Sequence, residues 1–213
     1  MNQVSEPAKW VGAGGDRNRA AAEPVRATVA ALVLAAGGGR RYGSPKALVR
    51  FGDRLLVERA VDTATRAGCA PVLVVLGAAA AEVRNRADLG TAEPVENPDW
   101  ATGLGSSLRA GLTALAKTPA VAAVVLLVDM PGVGPAAVRR LARLAAPDAL
   151  AIGGYGTRRG HPVLLGREHW TGVAALAVED VGARPYLRRH EAQVRVVPCA
   201  DVADDTDLDE PPG

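Results

Sequence analysis

Aromatic side chains are scarce in this sequence, with three Trp, three Tyr and one Phe among 213 residues. Its core must therefore be built from Ala, Val and Leu, which suits helices packed on a sheet buried on both faces, where Val-rich strands are at home. A dominant charge is also missing. The 25 basic and 23 acidic residues leave a net charge of +2. That balance argues against a general nucleic-acid binder, so any electropositive site is local. Long apolar runs are absent too. The best, Ala120–Val128, falls far short of the roughly 18 residues needed to cross a bilayer, so no membrane association is expected. No apolar run follows a basic start near the N-terminus, as a secretion signal requires. Only Cys69 and Cys199 are present, far apart and without metal-ligand spacing, which reads as reduced structural thiols in a cytoplasmic protein.

What is present alternates. Residues 1–27 mix Gly, Pro, Arg, Glu and Ala without periodicity and read as a disordered tail. One domain is expected over residues 28–207, with a short C-terminal tail at 208–213; the acidic, proline-bearing end from Asp204 is expected to fray. Buried strands are predicted at Val29–Ala35 and Val72–Leu76, and further strands at Ala92–Glu96, Val121–Val128, Ala149–Gly153, Pro162–Leu165 and Gln193–Val197. Helices are predicted at Leu55–Ala67, Ala79–Arg86, Ser106–Lys117, Pro135–Leu144 and Ala183–His190. Strand and helix in alternation give an α/β protein of three layers, α/β/α, around a mostly parallel, doubly wound, Rossmann-like sheet. Ligands of such sheets bind at the carboxyl ends of the strands where strand order reverses.

The first strand runs into Leu34-Ala-Ala-Gly-Gly-Gly-Arg-Arg-Tyr-Gly-Ser-Pro-Lys-Ala-Leu48. Consecutive glycines (Gly37, Gly38, Gly39) let the backbone turn its N–H groups inward, making a concavity for anions. Arg40, Arg41 and Lys46 add positive charge beside it. No Gly-Lys-Ser/Thr follows, so this is not a Walker loop. Gly37, Gly39 and Gly43 also miss the spacing of the dinucleotide fingerprint. On the glycines alone, a plain β–α turn with solvated charges fits equally well.

With Pro45-Lys46 included, residues 34–48 resemble the L-A-A-G-x-G-x-R-x-G-x-P-K-x-L signature of the MobA-like NTP transferases. The family arginine falls on Arg41 and its lysine on Lys46, while Tyr42 stands where Met is frequent. Further segments resemble molybdenum cofactor cytidylyltransferases: Asn97-Pro-Asp-Trp-Ala-Thr-Gly-Leu-Gly-Ser-Ser-Leu-Arg-Ala-Gly-Leu112, Gly160-His161-Pro162, Asp180-Val-Gly-Ala-Arg184 (with Glu179 where glycine is usual), Asp129-Met-Pro131 and Asp205-Thr206.

The resemblance implies a fold of the nucleotide-diphospho-sugar transferase type and transfer of CMP from CTP to the terminal phosphate of molybdopterin, with release of pyrophosphate. Guanylyl-transferring relatives show L-A-G-G and D-K, where this chain has Leu34-Ala35-Ala36-Gly37 and Pro45-Lys46, which favours CTP over GTP. Catalysis of this kind is positioning and electrostatics. Lys46 and Arg41 are the expected catalytic residues. Leu34, Ala35, Ala36, Gly37, Gly38 and Gly39 are expected around the phosphates, with Asn97, Gly103, Ser106 and Ser107 at base or ribose. A serine there also reads as a plain helix cap. Asp129, at the end of the strongest strand, suits Mg²⁺ or, alternatively, a cap of the next helix. Asp205 or Asp180 is a candidate second metal carboxylate. Gly160, His161, Pro162, Asp180 and Arg184 are candidates for the acceptor side, although a lone His is ordinarily structural or solvated. A client molybdoenzyme is a conceivable partner. Two alternatives stay open: a guanylyltransferase or other NTP transferase acting on a different phosphorylated small molecule, and a nucleotide- or cofactor-binding chaperone without turnover.

Overall fold

The computed structural model describes Met1, residues 28–39 and residues 42–208. The expected tails therefore lie outside the described residues apart from Met1 and Leu208, and so do Arg40 and Arg41.

Nine strands and six helices of the described residues follow the chain as β1 Val29–Ala35, β2 Arg50–Phe51, β3 Arg54–Leu55, α1 Leu56–Arg66, β4 Val72–Leu76, α2 Ala80–Arg86, β5 Glu93–Glu96, α3 Leu104–Leu115, β6 Ala122–Leu127, α4 Pro135–Ala142, β7 Leu150–Tyr155, β8 Arg158–Gly166, α5 Trp170–Leu176, α6 Arg184–Arg189 and β9 Val194–Pro198. Seven strands form one sheet in the order β5-β4-β1-β6-β8-β7-β9, while β2 and β3 make a separate antiparallel ribbon. β1 pairs in parallel with β4 on one edge and β6 on the other. Strand order therefore reverses between β1 and β6, which opens a crevice above their carboxyl ends. β8 alone runs against its neighbours. Only Gly156 and Thr157 separate it from β7, and so short a turn cannot return a parallel strand.

The apolar composition of β1 follows from its burial on both faces. Ala31, Val33 and Ala35 face α1 and α4, while Ala30, Leu32 and Leu34 face α3, α5 and α6. This period of two splits the core into the two layers expected of a doubly wound sheet. Ala, Val and Leu fill both layers, and Trp170 and Tyr186 are the aromatic residues buried in the second. Cys69 and Cys199 are free and buried, and burial pushes the Cys69 thiol up to about 11. No helix among the described residues is long and apolar enough to cross a membrane.

The structure departs from the sequence reading in four places. Residues 170–176 form a helix that the pattern did not show, because its apolar anchors are few and Gly172 interrupts it; a Cβ at Gly172 would sit 2.4 Å from the Tyr186 ring of α6. The ribbon β2–β3 is too short to leave a periodic trace. β8 begins at Arg158, so Gly160, His161 and Pro162 lie within a strand. Finally, residues 204–208 pack against the sheet end rather than fray: Asp204 N–H donates to Gly132 O and Leu208 N–H to Asp129 O at 3.2 and 2.9 Å.

Helix α3 approaches β1 closely at Gly111, where a Cβ would lie 2.4 Å from Leu32 Cδ1. Alanine is better than glycine in a helix by about 1 kcal/mol, but overfilling a packed core costs about 1–3 kcal/mol. Gly111→Ala is expected to lower the stability measured by urea unfolding, and a more stable variant would show that α3 does not press on β1 as described.

Candidate active site

The loop after β1 turns on Gly39. Its φ is +61°, and a Cβ there would fall 1.7 Å from Ser44 O, a position no side chain can take. Gly43 N–H closes the turn on Gly39 O at 2.8 Å. The chain then makes a single 3-10 turn over Lys46–Leu48, anchored by the buried Ala47. This anchor aims Lys46 back over the end of β1.

On the far side of the switch, β6 delivers Asp129. Its segment is tied down by Val128 N–H to Leu34 O and by Leu208 N–H to Asp129 O. Lys46 Nζ donates to Asp129 Oδ2 at 2.9 Å, across 83 residues of sequence. Side-chain exposures of 17% and 23% leave the pair partly in contact with solvent and within reach of a ligand. Both residues line a cleft of about 850 Å³ whose floor includes Leu34, Ala36 and Gly37–Gly39. That volume lies in the range of small-molecule sites.

Other expected residues on the cleft wall are Gly103, Ser107, Asp180 and Arg184. Gly103 is the N-cap of α3, with φ +111° and no room for a Cβ, which would meet the Glu179 backbone at 2.5 Å. Leu104 N–H donates to Asp180 Oδ1 at 3.2 Å and Gly105 N–H to Glu179 O at 2.7 Å, so segment 179–180 caps α3. Asp180 thus complements the positive end of the helix, a role that the sequence reading did not assign. Ser106 and Ser107 lie inside the first turn of α3 rather than at its cap.

Several expected residues stand behind the wall. Ala35 is buried within β1. Asn97 is buried and donates to Ser106 Oγ at 2.8 Å and Ser107 Oγ at 3.0 Å, while its Oδ1 accepts from Asp99 N–H at 3.0 Å. Asn97 and Ser106 therefore hold the 99–103 loop in shape. Asp205 is buried and ion-paired with Arg158 at 2.9 Å; it does not line the cleft. Gly160 is pressed against that carboxylate, since a Cβ would lie 1.9 Å from Asp205 Oδ2. His161 borders a separate small cavity behind the end of β6, and Tyr155 O–H donates to its carbonyl at 2.6 Å. Pro162 follows it, buried in β8. Densely surrounded by protein despite one accessible edge, the His161 imidazole is pushed down to about 4, chiefly by desolvation, against the opposing pull of Asp129. It is neutral at physiological pH. Arg41 lies outside the described residues.

The structure also brings to the cleft residues to which the sequence reading assigned no site role. Asp207 lines the cleft, one step beyond the Asp205-Thr206 pair that drew attention. Trp100, Thr102 and Glu179 line it as well, along with Tyr42. Trp100 lay within a recognised motif and Tyr42 and Glu179 stood out as departures from one; nothing local marks Asp207.

A metal at this site would have few protein ligands. Among the described residues, no three of His, Cys, Asp and Glu gather to hold an ion. Asp129 and Asp207 are the carboxylates that line the same cleft as the glycine loop, along with Glu179 and Asp180. Such a donor set fits a hard divalent ion that keeps waters and brings phosphate oxygens with it, rather than one caged by protein.

Residues 31–194 match the model of the MobA-like NTP transferase domain. The chain is 37% identical to Nicotine blue oxidoreductase of Paenarthrobacter nicotinovorans over 189 residues, 85% of this chain and 92% of that protein. The crystal structure of a Mycobacterium tuberculosis Rv0371c homolog from Mycobacterium sp. strain JC1 superposes with a TM-score of 0.73 at 31% identity, covering 86% of this chain and 90% of that one. Rv0371c of M. tuberculosis, solved as a complex with manganese, gives a TM-score of 0.67 at 27% identity over 80% and 88% of the two chains.

Two outcomes are expected. Glu179 has φ +44°, and the left-handed region costs a non-glycine residue about 1–2 kcal/mol, of which glycine's greater freedom in the unfolded chain gives back about 0.5–1 kcal/mol. Glu179→Gly is therefore expected to raise thermal stability slightly, and a lower Tm would mean that the carboxylate contributes more than its backbone costs. Because the His161 pKa is depressed on folding, its contribution to stability is present above about 6.5 and is lost as pH falls toward 4. Ring-nitrogen NMR should find His161 neutral at pH 5.5, where an imidazolium signal would contradict the burial described.

Proposed function

The chain belongs to the MobA-like NTP transferase domain family, and from that membership we propose that it transfers CMP from CTP to the terminal phosphate of molybdopterin, releasing pyrophosphate. The observation that carries the proposal is the Lys46–Asp129 pair at 2.9 Å, standing where strand order reverses and above a glycine-lined floor. A cation and a carboxylate held together beside an anion cradle are what nucleotidyl transfer requires and what a plain β–α turn lacks.

An oxygen of the acceptor phosphate attacks the α-phosphorus of CTP as the bond to the β-phosphate oxygen breaks. Charge builds on the non-bridging oxygens and on the departing pyrophosphate. Lys46 meets the α-phosphate and the incoming phosphate together, and its placement on an anchored turn avoids reorganisation during the step. Arg41 holds the β- and γ-phosphates with its fork of donors. The backbone of Leu34–Gly39 lines the phosphates, while Gly103 and Ser107 meet ribose or base. When bound, Mg²⁺ neutralises phosphate oxygens; Asp129 would hold it, with Asp207 as the second carboxylate in place of Asp205. The manganese complex of the 27%-identical mycobacterial protein supports the use of a divalent ion.

CTP rather than GTP is proposed on the Ala35-Ala36-Gly37 and Pro45-Lys46 pattern. The acceptor is placed on the β8 side, where Arg184 lines the cleft and the neutral His161 lies beyond Asp129. A reaction of this kind belongs in the cytoplasm, before delivery of the cofactor to a client molybdoenzyme.

The 37% identity to Nicotine blue oxidoreductase favours a second reading, a redox enzyme built on the same frame. Pyrophosphate release, measured with each NTP, Mg²⁺ and a panel of phosphorylated acceptors, set against reduction of a redox dye by the same protein, separates the two readings. CTP-dependent release is expected. Lys46→Ala is expected to lower it by about 100- to 1000-fold, the loss typical of one removed transition-state contact, with the circular dichroism spectrum unchanged. Undiminished turnover in that variant removes the mechanism, and release with GTP alone removes the choice of nucleotide.

A further inference from the structure

We propose that Trp100 is a specificity-determining residue whose indole forms the wall against which the base of the bound nucleotide stacks. This deepens the preceding reading and rests on it in requiring that CTP occupy the cleft, though not that it be turned over.

The placement begins with two glycines. A Cβ at Gly77 would lie 2.5 Å from Trp100 Cβ and 2.7 Å from Cγ, and one at Gly38 would lie 3.0 Å from ring carbon Cζ3. Both positions are thus clear of side chain where the indole passes. Gly77 directly follows β4, and Gly38 lies on the loop after β1, so the ring spans from one strand end to the next. Its backbone is fixed from below. Trp100 opens a 3-10 turn (Trp100–Thr102) whose shape is held by the buried Asn97, by Ser106 Oγ bonded to the carbonyls of Asp99 and Gly103, and by Thr102 Oγ1 bonded to Asp99 O. A large aromatic surface so constrained costs little entropy to present to a ligand.

Distance then selects the part of the nucleotide it meets. Lys46 and Asp129 mark the phosphate end at β6, while Trp100 stands over β4 on the other side of β1. Two strand spacings separate them, roughly 10 Å, a span that carries a nucleotide from its α-phosphate through the ribose to the base. Trp100, half-buried and on the cleft wall, is a flat apolar face at that end, with Ser107 nearby on the same wall for a polar edge. Its rigidity limits the room for a two-ring base.

The test reads binding without turnover. Full-length protein, Trp100→Phe and Trp100→Ala are titrated with CTP and with GTP in Mg²⁺, following tryptophan fluorescence and calorimetric Kd. CTP should quench the wild type, and Trp100→Phe should lose the quench while keeping most of the affinity. Trp100→Ala should weaken CTP about ten-fold, the size of one lost base–aromatic stack, and narrow the CTP-to-GTP preference. Trp170 is a built-in control, buried and donating its indole N–H to Leu165 O at 2.9 Å. A quench that persists in Trp100→Phe, or CTP affinity within about two-fold in a folded Trp100→Ala, overturns the proposal and leaves Trp100 as loop packing. A protein that binds and is quenched but releases no pyrophosphate sinks the transfer reading while keeping this one.

Discussion

The pairing of β1 with β4 on one edge and β6 on the other is the constraint from which the site follows. β1 is buried on both faces, so its register is strongly specified; a one-residue slip would exchange the residues facing the two helical layers. That register brings the glycine loop and Asp129 to the same level. Val128 N–H on Leu34 O joins the two strand ends directly. Lys46 and Asp129 then need only short side-chain reaches to meet.

Carboxylates around the cleft are each given a different task by their surroundings. Asp129 faces Lys46, partly exposed, in a position where a competing cation could replace an ammonium group. Asp180 accepts from the first turn of α3 and complements the helix end. Asp205 is buried against Gly160 with Arg158 as its counter-charge; removing that arginine would leave an uncompensated buried charge. Three aspartates that look equivalent in the sequence are thus separated into a cleft-facing group, a cap and a structural ion pair. The neutrality of His161 belongs to the same pattern, because desolvation outweighs the attraction of nearby carboxylates for its proton.

Glycine replaces bulk wherever two segments must touch around the cleft. Gly103 and Gly105 admit the Ala177–Glu179 backbone, Gly132 admits Asp204, and Gly38 and Gly77 admit the Trp100 ring. With few aromatic residues, the protein builds a close-packed frame from small side chains and places the half-buried Trp100 indole where the frame leaves a slot. The relationship to an oxidoreductase at 37% identity shows that proteins differing in name share such a frame, so function must be argued from the side chains it holds.

The sequence alone determined the class of fold, because β1, β4 and β6 are apolar on both faces and the helical spacing of α1, α3 and α4 is regular. It also marked the glycine loop, since only glycine satisfies the backbone at Gly39. Local pattern could not reveal α5, whose packing depends on Tyr186 from another helix, or the ribbon β2–β3, which is two residues per strand. Nor could it separate Asp205 from Asp207, because neighbouring residues of one composition differ only in which way a bound backbone turns them. Tertiary structure decided those cases, along with the meeting of Lys46 and Asp129 across 83 residues. The physical reason is that burial and counter-charge are properties of what surrounds a side chain, and those surroundings come from strands and helices distant in the chain.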